Sequence, residues 1–159
     1  MEHGETDVRE IVPGLANAGC PLPGVATSGQ PAEEEFRRLA EAGYRTVIDL
    51  RAPDEPRGID EPEVVRRAGM EYVNLPVTAQ TLDDATFDRF RSLMKDPAHR
   101  PVLVHCASAN RVGAILIPYL ILDEGKDPRE ALEIAGEVGL RSRELADMAL
   151  AYVERARGG

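Results

Sequence analysis

An α/β fold, a mostly parallel central sheet flanked by helices, is what this sequence predicts, and three observations carry the prediction. Short runs rich in β-branched residues, such as Thr46-Val47-Ile48 and Val102-Leu103-Val104, alternate with segments whose apolar residues recur at helical spacing. Strand, helix, strand in that order implies right-handed parallel crossovers. The last third of the chain then reads as helices alone. With 159 residues, 43% hydrophobic and 30% charged, the chain is expected to form one soluble domain over 1–159. A chain of that length buries about 70% of its unfolded surface.

In order, Val8-Arg9-Glu10-Ile11 and Leu15-Ala16-Asn17-Ala18, split by Pro13-Gly14, read as an edge hairpin. Gly19 to Gly29 is a Pro/Gly-rich loop containing a short strand at Val25-Ala26-Thr27. A helix follows from Pro31, suited to a first helical position, to Ala42; Phe36 and Leu39 line one side and Glu33 to Glu35 sit where the helix dipole favours acids. Gly43 ends it. Tyr44 to Leu50 is a strand, Arg51 to Pro62 a charged surface loop, Glu63 to Gly69 a short helix, and Glu71 to Val77 another strand. Thr81 or Asp83 caps a helix from Asp84 to Lys95 whose buried stripe is Phe87, Phe90, Leu93 and Met94. Three helices close the chain: Asn110 to Glu124, with Pro118 expected to kink or break it; Asp127-Pro128 to Glu137; and Arg141 to Arg155.

The chemistry gathers at Pro101 to Gly113, where an apolar strand ends in His105-Cys106, small residues follow, and Arg111 opens a helix. A loop of this build, Ala107, Ser108, Ala109, Asn110 and Arg111, converges its amides on one point beside a helix N-terminus, and Arg111 holds two oxygens of a tetrahedral anion. Such a field favours thiolate over thiol at Cys106. His105 is placed to hydrogen-bond and order the loop. The plainer alternative is a buried cysteine at the end of a core strand.

This stretch resembles the signature loop of cysteine-based protein tyrosine and dual-specificity phosphatases: His-Cys, five residues, Arg, then Ser or Thr. Here four residues separate Cys106 from Arg111, and position 112 is valine. A loop of Cys, four residues and Arg is the size found in rhodanese-type sulfurtransferases. Thr27-Ser28-Gly29-Gln30-Pro31, Thr46-Val47-Ile48-Asp49-Leu50-Arg51 and Glu71-Tyr72-Val73-Asn74-Leu75-Pro76-Val77 resemble the bacterial DUF442 family, the phosphatase-like domain that also occurs in beta-lactamase-hydrolase-like proteins. The likeness covers about residues 8–155. It implies a dual-specificity-phosphatase-like fold and a covalent intermediate at Cys106.

Two reactions suit the loop. Phosphate-ester hydrolysis requires a general acid, for which Asp83 and Asp84 are the nearest candidates, although either also fits a helix cap. Sulfane-sulfur transfer requires a nucleophilic thiolate, a persulfide cradle and a guiding cation. The four-residue spacing, the absence of an obvious aspartate and the missing hydroxyl at position 112 favour sulfur transfer, with phosphatase action as the alternative and a non-catalytic phospho-binding module as a third reading. The partner is then a small anion, thiosulfate, a persulfide or a phosphate ester, with an acceptor thiol or phosphoprotein beyond it. Gln30, leading into a helix, and Arg51, at a strand end, are candidate supports of the site; cap chemistry for Gln30 and an ion pair with Asp54 or Glu55 for Arg51 are the alternatives.

A net charge of −9 speaks against nucleic acid and anionic membranes as partners. No apolar run approaches the roughly 20 residues that span a bilayer, and the opening Met-Glu-His-Gly-Glu-Thr-Asp is no signal peptide, so the expected location is the cytoplasm. Two cysteines and histidines at 3, 99 and 105 form neither a disulfide framework nor a metal set, and no cofactor is expected. Cys20 is either a resolving thiol or an incidental small apolar residue.

Overall fold

Successive residues of the inner strands face opposite sides of the sheet and feed two separate apolar compartments. Along the last strand Val102 and Val104 enter one cluster, and Leu103 enters the other. The computed structural model describes residues 7–158. Strands β1 (Gly19–Leu22), β2 (Val25–Ser28), β3 (Thr46–Asp49), β4 (Glu71–Asn74) and β5 (Val102–His105) form one sheet in the order β1-β2-β5-β3-β4. Among the described residues only the β1–β2 pair is antiparallel. Helices α1 (Val8–Ile11), α2 (Glu33–Glu41) and α3 (Glu61–Arg67) cover one face through Val8, Phe36, Leu39 and Val65. The other face carries α4 (Asp84–Lys95), α5 (Asn110–Leu122), α6 (Pro128–Val138) and α7 (Arg143–Gly158).

Local chemistry sets most boundaries. The Asp83 carboxylate accepts the Thr86 N–H at 2.9 Å and starts α4; Asp127 does the same for Glu130 at 2.8 Å, with Pro128 opening α6. Helix α5 is apolar on every side and buried from Val112 to Ile121, as expected of a helix enclosed by its neighbours.

Four expectations are corrected. The predicted hairpin at 8–18 is not one: Asp7 accepts the Arg9 N–H at 2.8 Å and caps α1, and the edge hairpin lies one segment later, β1 turning into β2 at Pro23-Gly24. Pro31 lies outside α2, whose N-cap is Ala32; the Glu35 carboxylate accepts the Ala32 N–H at 2.8 Å. Pro118 does not break α5, which continues to Leu122 packed among α4, α6 and α7. Residues 51–62 are not simply a surface loop, because the Glu61 side chain is fully buried and that of Arg57 is 7% exposed. Residues 1–6, on which the expected absence of a signal peptide rests, lie outside the described residues.

Candidate active site

The C-terminal edge of the parallel strands assembles the site. In the sheet register His105 stands beside Ser28 on one side and Asp49 on the other. Cys106 follows, 1% exposed, its N–H donating to the Ser28 carbonyl at 3.3 Å. Ala109, in the left-handed region at φ 70°, turns the chain into α5, so the positive end of that helix closes the loop. The loop is wedged from two sides. Gln30 N–H donates to the Ala107 carbonyl at 3.1 Å, and a Cβ on Gly29 would stand 2.6 Å from that oxygen. Across the loop, Gly139 at φ +144° passes Ala109 so closely that a Cβ there would lie 3.0 Å from the Ala109 Cβ.

Arg111, in the first turn of α5, presents its two terminal nitrogens to Glu55, at 2.8 and 3.1 Å. This fork uses two of five N–H groups, leaving Nε–H and the two outer N–H groups for an anion. The Glu55 hydrogen bond, against the opposing effect of burial and with nearby Cys106 adding a smaller push, holds the guanidinium pKa above its ordinary value. Glu55 is correspondingly pulled down to about 2, chiefly by Arg111, with the Ala52 N–H at 2.8 Å and Arg51 Nε at 2.9 Å assisting against desolvation.

From Glu55 a continuous network runs behind the loop. Arg51 donates to Gln30 Oε1 at 2.9 Å, Gln30 Nε2 donates to Glu61 Oε1 at 2.9 Å, and Glu61 Oε2 lies 2.5 Å from His105 Nε2. His105 Nδ1 faces the Cys106 carbonyl at 3.2 Å, so both ring nitrogens have an oxygen partner and the imidazole is held between Glu61 and the start of the loop. Asp49, fully buried, accepts from Arg57 Nε at 2.8 Å and Tyr72 OH at 2.6 Å. Burial first, then that hydrogen bond to Asp49, raises the Tyr72 phenol well above its usual pKa. Cys106 is thus backed by a desolvated, fully partnered ionic cluster.

The family profile of the DSP-PTPase phosphatase fused to NAD+ kinase matches residues 24–151. The chain belongs to this family. Its cysteine-based architecture places it in the protein tyrosine phosphatase-like superfamily, as the DUF442 resemblance implied. A beta-lactamase hydrolase-like protein of Xylella fastidiosa is 33% identical over 116 residues, which is 70% of this chain and 26% of that one. The chain therefore spans about a quarter of the curated relative's length. Among solved structures, a DUF442 protein of Shewanella putrefaciens CN-32 superposes with a TM-score of 0.78 at 26% identity, covering 92% of this chain and 97% of that one. TpbA of P. aeruginosa gives 0.67 at 26% identity, covering 91% and 85%.

Within this DSP-PTPase domain the residues named from sequence fall into two groups. Cys106, Arg111, His105 and the loop 107–110 come together, and Gln30 and Arg51 join them through Glu55 and Glu61. Asp83 and Asp84 do not join them. The Asp83 carboxylate accepts from both the N–H and the hydroxyl of Thr86, which hold its pKa below the ordinary range, and Asp84 pairs with Arg155 at 2.6 Å on the surface. Glu55, Glu61 and Arg57 were missed as site residues, hidden in a stretch whose three prolines and dense charge read as solvent-exposed. Asp49, Glu61 and His105 offer ligand atoms within 4.8 Å of one another. Arg57 Nε already lies 2.8 Å from Asp49 and 3.7 Å from Glu61, so a guanidinium supplies the positive charge there and the set does not suit a metal ion. Cys20 is a free thiol that accepts the Val8 N–H at 3.3 Å, and burial raises its pKa.

Proposed function

We propose that this domain hydrolyses phosphate monoesters through a phosphocysteine at Cys106. The observation that carries the reading is Arg111, forked onto Glu55 so that its remaining N–H groups are preorganised beside Cys106 at the α5 N-terminus. The loop amides and Arg111 bind the phosphoryl oxygens, and the thiolate attacks phosphorus. The P–O bond to the leaving group breaks as the S–P bond forms. Water then cleaves the S–P bond, releasing phosphate and restoring the thiolate. With Asp83 committed to its cap and Asp84 to Arg155, the favoured leaving groups are those that need little proton assistance, such as phenols. Members of the family are described as fused to NAD+ kinase, an enzyme that adds a phosphate to a dinucleotide, so NADP+ belongs in the substrate panel beside aryl phosphates.

Aryl phosphate turnover by the wild-type protein, its loss in Cys106→Ser, and a steep decline of kcat/KM with rising leaving-group pKa are the expected results. Full turnover by Cys106→Ser would overturn the reading. Sulfane-sulfur transfer stays as a second reading because of the four-residue spacing and Val112. Incubation with thiosulfate followed by intact-protein mass spectrometry separates the two: one added sulfur atom on Cys106 without phosphate release supports sulfur transfer. Either chemistry needs a reduced thiol, which suits a cytoplasmic setting; among the described residues no helix is long and apolar enough to cross a membrane.

A further inference from the structure

The segment joining α6 to α7 is clamped onto the reactive loop. Asn110 Oδ1 accepts the backbone N–H groups of Arg141 and Ser142 at 2.6 and 3.1 Å. Gly113, one turn into α5, lies so close to Leu140 that a Cβ there would stand 2.7 Å from the Leu140 Cβ. Together with the Gly139 contact on Ala109, this fixes the backbone on both sides of Arg141. Its guanidinium is exposed, donates to Ser108 Oγ at 3.1 Å and to the Gly139 carbonyl at 3.4 Å, and has no carboxylate partner among the described residues. Ala107 and Ser108 are the two residues of the loop between Cys106 and Ala109, one exposed and one partly so, and Ala109 itself is buried. The cation that Ser108 holds therefore stands at the rim of the loop, in a protein of net charge −9.

We propose that Arg141 forms a second anion subsite, selecting substrates that carry a further phosphate next to the one bound over Cys106. A lone surface arginine has no such meaning, since most exposed cations are merely solvated. Here two hydrogen bonds orient the guanidinium, the backbone that bears it is locked to the first turn of α5, and neither hydrogen-bond partner neutralises its charge. A second phosphate reaching the rim meets a planar donor whose remaining N–H groups are unoccupied. This deepens the proposed phosphatase reading, on which it rests for its substrate class.

The test is titration calorimetry of the wild-type protein with inorganic phosphate, methylenediphosphonate and 1,3-propylenediphosphonate, with aryl phosphate turnover measured in parallel. Methylenediphosphonate holds its phosphorus atoms at the spacing of a phosphoanhydride, whereas the longer compound mimics a spaced bisphosphate. One of the two should bind about tenfold tighter than phosphate or better, the gain expected of one oriented charge-assisted contact. Arg141→Ala should bring that ratio close to one, Arg141→Lys should restore part of it, and Arg157→Ala, which removes one charge at the far end of α7, should leave it unchanged. Equal binding of all three anions, or a ratio that survives Arg141→Ala, would overturn the inference. Absence of aryl phosphate turnover beside an intact, Arg141-dependent ratio would instead count against the phosphatase reading while supporting the subsite.

Discussion

Glu55 shows how one carboxylate decides what an arginine beside Cys106 can do. By taking both terminal nitrogens of Arg111 it stops the guanidinium from rotating and turns the unoccupied N–H groups toward Cys106. Glu55→Gln keeps the shape but loses the charge-assisted fork, and kcat/KM for an aryl phosphate should fall about tenfold or more, with unchanged circular dichroism. The same pair fixes a pH dependence. The Glu55 pKa is lowered from 4.5 to about 2, so the ionised form is bound more tightly by the folded protein than by the unfolded chain. Its stabilisation is therefore complete above about pH 4.5 and is lost as pH falls toward 2. Denaturant midpoints followed downward through that window should drop for the wild type and flatten in Glu55→Gln. The sequence singles out Cys106 and Arg111 together because six consecutive positions carry their pattern. Glu55 and Glu61 lie 56 and 44 residues from their partners, and no local spacing connects such pairs.

At the level of elements, what could be read was whatever is encoded within a few residues. Helix α4 runs from Asp84 to Lys95 as its apolar stripe and capping aspartate predicted, and strand β2 was found from its β-branched core. The first segment was misread because Pro13-Gly14 signals a turn without saying what it joins, and a single cap by Asp7 tips four residues into a helical turn. The two roles weighed for Asp83 separate by substitution. Asparagine caps a helix as well as aspartate does but donates no catalytic proton, so Asp83→Asn should keep both the unfolding midpoint and the rate, whereas Asp83→Ala should lower the midpoint. A rate lost in Asp83→Asn with the midpoint intact would restore Asp83 as general acid. Gly29 belongs to the same scale, because it is the point where the β2–α2 connection touches the reactive loop. An added methyl group cannot fit 2.6 Å from the Ala107 carbonyl without moving backbone. Gly29→Ala should cost about 1–3 kcal/mol in chemical denaturation, as overpacking does, and should depress activity more than stability because the displaced backbone is that of the site.

For the whole molecule the fold class followed from the alternation of strands and helices, but the strand order did not. Two apolar strands separated by a helix are equally compatible with adjacent and non-adjacent places in a sheet. Here β5 slides between β2 and β3, so both of its edges are paired and both of its faces are buried. Cys106 thus follows directly on the best-supported strand of the sheet. Amide exchange at Val102, Leu103 and Val104 of β5 should be slowest and should track global unfolding, while β1 and β4 exchange earlier. That arrangement also sets an order of events on the ribosome. When β2 and β3 have been made they have no partner between them, and each shows an open edge until more than 50 further residues have emerged and β5 can fill the gap. A nascent chain halted before His105 therefore carries two unpaired strand edges, the form most prone to pairing with other chains, for as long as translation is stalled.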